Sequence, residues 1–249
     1  MIALLAALQE EVSALWRRLK LTPARVAGFH NFIATGEYQG RAVLLTCTGM
    51  GRQRAEVNAS AMLERYPVTV ALSIGFSGAL EGTQRVGDLV LASELLAVTG
   101  SLGCEPASYP PDPMRLLTIT AALRETSLRV RTGPTVTTPG VIPTPEEKEA
   151  LGKQTGAIAV DMESYWIARI AAERGLPFLA LRVISDAQAD GLLPFEHLAD
   201  ANGASRARWL MAYLLREPGG LAMLLKLGRH AREARRTLAA GAACAVAAL

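Results

Sequence analysis

Short apolar runs alternate along the chain with stretches whose apolar residues recur at helical spacing. The runs at 2–7, 31–36, 41–47, 68–74, 88–93, 157–160 and 178–184 predict strands, being short and rich in branched residues. Helices are predicted at 9–20, 52–65, 113–126, 146–154, 163–174, 196–216 and 220–240. The proline-rich stretches 106–113 and 137–145 read as loops. Alternation of this kind predicts an α/β fold: three α/β/α layers around a mixed, largely parallel central sheet.

The most informative segment is IAVDMESYWIARIAAERGLPFLALRVISDAQAD, residues 158–190. It reads as a strand, a pair of acids, a helix stopped by Gly175 and Pro177, and a second strand ending in Ser185-Asp186. A unit of this length predicts a parallel crossover, with Glu163 and Asp186 both at carboxyl ends of strands, where open α/β sheets bind ligands. Asp161 reads instead as a helix-capping acid.

Composition narrows the class. The 249 residues are half apolar and one-fifth charged, enough for a full core, with no linker or repeat. Cys47, Cys104 and Cys244 lack metal or redox spacing, and His30, His197 and His230 form no cluster, so neither a metal nor an organic cofactor is expected. The apolar start has no basic lead and meets acids at once, which argues against a signal peptide. The apolar end falls short of the roughly 20 residues needed to span a bilayer. A cytoplasmic protein is expected.

The net charge of +3 is unevenly placed. Lys226, Arg229, Arg232, Arg235 and Arg236 oppose only Glu233 in the tail, leaving the rest of the chain slightly acidic. Leu224, Leu227, Ala231, Ala234 and Leu238 fall on one face of the predicted helix, and Arg229, Arg232 and Arg236 on another. Such a helix either packs on the domain with its basic face in water or makes peripheral membrane contact through 220–240. Nucleic-acid binding is not expected, because no aromatic platform or recognition motif accompanies the charge.

VDMES followed by RVISDAQAD, the start IALLAALQEEV, the stretch TCTGMGRQRAEVNA and the stretch SIGFSGALEGTQRVGDLVLAS resemble, in order, the purine nucleoside phosphorylase and methylthioadenosine/S-adenosylhomocysteine nucleosidase superfamily. The tail REPGGLAMLLKLGRHAREARRTLAAG is similar to that of the hopanoid-associated phosphorylases. The resemblance implies a catalytic domain over 1–216 with a C-terminal helical extension over 217–249, and a homo-oligomer. It implies release of adenine from a 5′-substituted adenosine. The substrate would be adenosylhopane with inorganic phosphate as co-substrate, or, as the alternative, methylthioadenosine or S-adenosylhomocysteine with water.

By the same resemblance Asp186 protonates purine nitrogen 7, oriented by Ser185. Glu163 accepts hydrogen bonds from the ribose, Met162 lies against the sugar, and Val141 and Ile142 line the purine pocket, valine standing where an aromatic is usual. Glu11 orients or deprotonates a nucleophilic water. Phe76 takes the place of the family's serine, which moves to Ser77. The glycine turns at Gly51 and Gly75, with Arg52, suit an anion. Glu11 favours water; the turn, the arginines and the tail favour phosphate and tip the expectation toward phosphorolysis. A nucleoside-binding module that had lost catalysis would be missing an acid, and all three are intact.

Overall fold

The computed structural model describes residues 1–99, 103–105, 107–191 and 220–249. The predicted helix at 196–216 lies outside them. The strands are β1 (Ile2–Ala6), β2 (Thr22–Val26), β3 (Phe29–Tyr38), β4 (Arg41–Cys47), β5 (Val70–Ala79), β6 (Leu89–Thr99), β7 (Gly103–Cys104), β8 (Val130–Thr137), β9 (Ala159–Asp161) and β10 (Phe178–Asp186). The helices are α1 (Gln9–Val12), α2 (Leu15–Arg18), α3 (Arg52–Arg65), α4 (Pro113–Arg124), α5 (Pro145–Thr155), α6 (Ser164–Glu173) and α7 (Gly220–Ala248).

The sheet is mixed. Its middle, β4-β1-β5-β10, is parallel, as are β6-β8 and β8-β9. The β2-β3-β4 meander at one edge and the β10-β6 and β5-β9 pairings are antiparallel. Because β5 pairs with both β10 and β9, the strands β5-β10-β6-β8-β9 close into a ring. Ala79, Val90, Ala159 and Ile184, one from each of four ring strands, cluster together.

This ring corrects the expected parallel crossover. β9 runs against β5 while β10 runs with it, so β9 and β10 are not parallel neighbours. The carboxyl ends still converge, because Gly78 of β5 is the register partner of both Val160 and Asp186.

Three strands escaped the sequence pattern: the two-residue β7, and β8 and β2 for local reasons. β8 contains Gly133-Pro134, which interrupts its apolar run; a bulge between Ala92 and Glu94 of β6 absorbs the proline. β2 carries Pro23 but lies at the sheet edge, where a missing N–H is tolerated.

Two cores lie on the two faces of the sheet. One includes Ala55, Ala59 and Met62 of α3 with Trp166, Ile167 and Ile170 of α6. The other includes Val12, Leu15, Ile119 and Leu123 of α1, α2 and α4, and Ala234, Leu238, Ala242 and Val246 of α7. Gly241 brings α7 onto β6 so closely that a Cβ would collide with the Leu89 side chain.

The described part of the extension expected over 217–249 packs on the domain. The C-terminal half of α7 belongs to the main core, and the helix continues past the predicted 240 to Ala248. Its arginines Arg229, Arg232 and Arg236 are exposed. No described helix is long and apolar enough to cross a membrane.

Truncation after residue 226 is therefore expected to abolish folding rather than leave a competent domain. Leu238 and Val246 alone carry about 1.5–3 kcal/mol of burial each, and Leu181 and Val183 would be uncovered. Soluble yield and near-ultraviolet circular dichroism of the truncated chain check this.

Candidate active site

Glu11 sits in α1, directly after β1, where the chain turns from strand to helix. One carboxylate oxygen, Oε2, accepts from the N–H groups of Ala7 (3.0 Å) and Leu8 (2.8 Å). The other, Oε1, accepts from the Phe76 N–H on β5 (2.8 Å). Burial pushes this carboxyl above its usual range, against the opposing pull of Arg182 and the three N–H groups. The neighbouring Gly75 is required here: a Cβ at that position would collide with both Glu11 Oε1 and Arg182 Nη1.

Arg182 was visible only as part of a motif and had no assigned role. It is a fully buried guanidinium in the middle of β10. Nε donates to Ser164 Oγ (2.8 Å) and lies 2.9 Å from Asp161 Oδ2, while Nη2 donates to Ser73 Oγ (2.7 Å). Nη1 is buried and has no hydrogen-bond partner among the described residues. A charge in an otherwise apolar central strand was the available signal, since such a residue persists only when paired.

Asp161 is the last residue of β9 rather than the N-cap of α6, a position taken by Glu163, but it gathers the N–H groups at the helix start. Its Oδ1 accepts from the backbone N–H groups of Glu163 and Ser164 (3.0 Å each) and from Thr137 Oγ1 (2.7 Å). That turn sets Glu163 at the head of α6, where its Oε1 accepts from the Gly51 N–H (2.9 Å). Burial raises the Glu163 carboxyl to about 8, with Arg182 and the Gly51 N–H lowering it and Asp161 and Glu11 raising it.

The folded state thus keeps this proton up to about pH 8, whereas the unfolded chain releases it near 4.5. Between those values the native state binds more protons, so stability falls as pH rises. At about 1.4 kcal/mol per unit, the window amounts to something on the order of 4–5 kcal/mol. Glu163→Gln is expected to flatten the fall in Tm between pH 5 and pH 8, which thermal melts across that range would measure.

Asp186 ends β10 beyond a bulge, where β-bulges commonly re-aim a side chain. Ser185 Oγ lies 2.8 Å from Asp186 Oδ1 and 3.3 Å from the Ser77 carbonyl oxygen. The other oxygen, Oδ2, accepts from Lys148 Nζ at 2.5 Å. Lys148, in the first turns of α5, was not singled out in the sequence, because a lone lysine in the acidic opening PEEKEALGKQT looks like an ordinary surface charge.

The remaining assigned positions divide. Phe76 offers its backbone N–H to Glu11, and Ser77 turns its hydroxyl to the Val183 carbonyl (3.4 Å) rather than to an open site. Met162 is half-buried beside Glu163, and Ile142 packs against the apolar cluster that includes Leu80 and Val136. Val141 is 42% exposed, so it does not wall a closed pocket by itself.

The anion site expected at Gly51, Gly75 and Arg52 is otherwise engaged. The Gly51 N–H faces the Glu163 carboxylate. The Arg52 guanidinium lies 4.0 Å over the Trp166 ring and donates to Glu56 Oε1 (3.0 Å). Gly75 is flanked by Glu11.

Comparison with known proteins gives the family and the fold. The 5′-methylthioadenosine/S-adenosylhomocysteine nucleosidase of Staphylococcus epidermidis is 28% identical, covering 80% of this chain and 92% of its own. That of Maridesulfovibrio salexigens is 29% identical over 74% of this chain and 85% of its own. Among solved structures, the Neisseria meningitidis nucleosidase in complex with methylthio-immucillin-A matches with a TM-score of 0.76 at 19% identity, covering 100% of this chain and 99% of that one. Helicobacter pylori futalosine hydrolase matches with the same score and identity, over 100% and 97%. At such identities the structural matches speak for the fold alone. The profile of the phosphorylase superfamily matches residues 1–216, and the chain belongs to that family.

Proposed function

We propose that this enzyme hydrolyses the N-glycosidic bond of a 5′-substituted adenosine, with methylthioadenosine or S-adenosylhomocysteine as substrate and water as nucleophile. The observation that carries the choice of water is that Glu11 Oε1 and the unpartnered Arg182 Nη1 both border Gly75. Water can accept from a donor and give its own proton to an acceptor, and this combination offers both. A phosphate there would have neither the Gly51 N–H nor Arg52 to itself, both being already engaged. The nucleosidase relatives support the same substrates.

Asp186 protonates nitrogen 7 as the bond from carbon 1′ to nitrogen 9 breaks, so the bonding electrons leave on a neutral purine. Glu163 accepts hydrogen bonds from the ribose hydroxyls and so grips the sugar as the bond breaks. Water adds to carbon 1′ and gives its proton to Glu11, whose burial makes it a better base than an exposed glutamate. The products are adenine and the 5-substituted ribose, and no cofactor is needed.

A second reading keeps the same site and acids but uses phosphate on adenosylhopane. Its specific support is the exposed row Arg229, Arg232 and Arg236 on α7, suited to a membrane surface.

Adenine release from methylthioadenosine, S-adenosylhomocysteine and adenosylhopane, each with and without phosphate, separates the two. Hydrolysis predicts phosphate-independent release from the soluble substrates, and Glu11→Gln then lowers kcat by about 10²- to 10⁴-fold. Release only from the hopanoid and only with phosphate would replace the first reading by the second.

A further inference from the structure

We propose that Lys148 is the positioning residue for the general acid, holding one oxygen of Asp186 and stabilising the carboxylate that forms when the proton leaves for the purine. The inference rests on the glycosidic reading above and deepens it.

Lys148 is fully buried, which an ammonium tolerates only when its protons are all engaged. Its Nζ donates to Asp186 Oδ2 (2.5 Å) and to the carbonyl oxygens of Ala187 (3.1 Å) and Asp190 (2.9 Å). The three donors of the ammonium thus grip the turn that follows β10. Oδ2 is packed over Gly78, where a Cβ would come within 3.0 Å of it. That leaves Oδ1, beside Ser185 Oγ, as the oxygen free to carry the proton toward a base.

The charges around the pair are few. Asp190 turns its carboxylate away, accepting from the Ala187 N–H (2.9 Å) and meeting Lys226 Nζ of α7 at 2.6 Å, with His230 Nδ1 at 3.9 Å. On α5 itself, Glu147 caps at Thr144 and Glu149 pairs with Lys153 at the surface. Among the described residues, Lys148 is therefore the one cation in direct contact with the acid.

When Asp186 gives its proton to nitrogen 7, the proton passes from Oδ1 to the purine and a negative charge remains on the carboxylate. Lys148 offsets that charge at the moment it appears. Without the ammonium, the carboxylate that forms is left without its counter-charge and is free to swing.

The test is the pH dependence of kcat for methylthioadenosine in the unaltered protein, Lys148→Met and Lys148→Gln. Both variants are expected to lose at least 30-fold in kcat at neutral pH, with KM within about threefold, and to move the alkaline limb of the profile upward by one pH unit or more. Lys148→Gln keeps donors for the two carbonyls and carries the comparison if Lys148→Met does not fold. A loss of kcat with the limb unmoved would make Lys148 structural filler and overturn the proposal, as would wild-type kinetics in either variant. An unaltered protein that releases no adenine at any pH would instead sink the glycosidic reading itself.

Discussion

Asp186→Asn is expected to lower kcat for adenine release by about 10²- to 10⁴-fold, the span typical of a lost general acid. Asparagine keeps the shape and can still contact nitrogen 7, so KM should change far less than kcat. The substitution also strands the Lys148 ammonium, fully buried and paired with this carboxylate. Breaking a buried pair costs about 3–5 kcal/mol, so Tm should fall as well. Combining it with Lys148→Met removes both charges and is expected to recover Tm without recovering turnover. Steady-state kinetics and melts on the three proteins separate the two effects. An equal loss in binding alone would take Asp186 out of the acid role.

Arg182→Met is expected to lower stability and to change how it depends on pH. The guanidinium joins three strands and a helix through Ser73, Ser164 and Asp161, and lowers the proton affinity of both Glu11 and Glu163. Removing it leaves Asp161 as a buried carboxylate without its cation, at a cost of about 3–5 kcal/mol, against a total stability of about 5–15 kcal/mol for a typical domain. The sign of the pH dependence follows from the acids. With the cation gone their proton affinities rise further in the native state, so the deficit grows as pH rises and shrinks toward pH 5. Urea titrations at pH 5 and pH 8 measure it. A deficit independent of pH would mean that Arg182 acts through packing alone.

The acids were legible in the sequence because each stands at the end of an apolar run, and local order is enough to mark such a position. Glu11 follows β1, Glu163 follows β9 and Asp186 ends β10. Asp161 was legible as an acid serving the helix start for the same reason: its partners, the N–H groups of Glu163 and Ser164, are two and three residues away. The C-terminal helix was legible in its periodicity, although its role was not. A strip of alanines with one leucine and one valine matches a solvated amphipathic helix as well as a core element, and only the sheet face it covers distinguishes them.

What escaped the sequence is long-range. Lys148 and Asp186 are 38 residues apart, Arg182 and Ser73 109, and Gly51 and Glu163 112. No local pattern encodes such pairs, because each half is satisfied only by an element that arrives from elsewhere in the chain. The closed ring of strands is of the same kind. Antiparallel β9 follows from β5 being long and shared, while periodicity reports only that strands exist.

By itself the sequence determined that strands alternate with helices, which acids stand close after them and which family the chain belongs to, since these depend on neighbours along the backbone. The tertiary structure decided that Arg182 and Lys148 hold those acids, that Gly51 and Arg52 are already engaged, and that α7 is part of the core. Those outcomes depend on burial, which takes charges out of water and makes each one require a partner that only folding can bring to it.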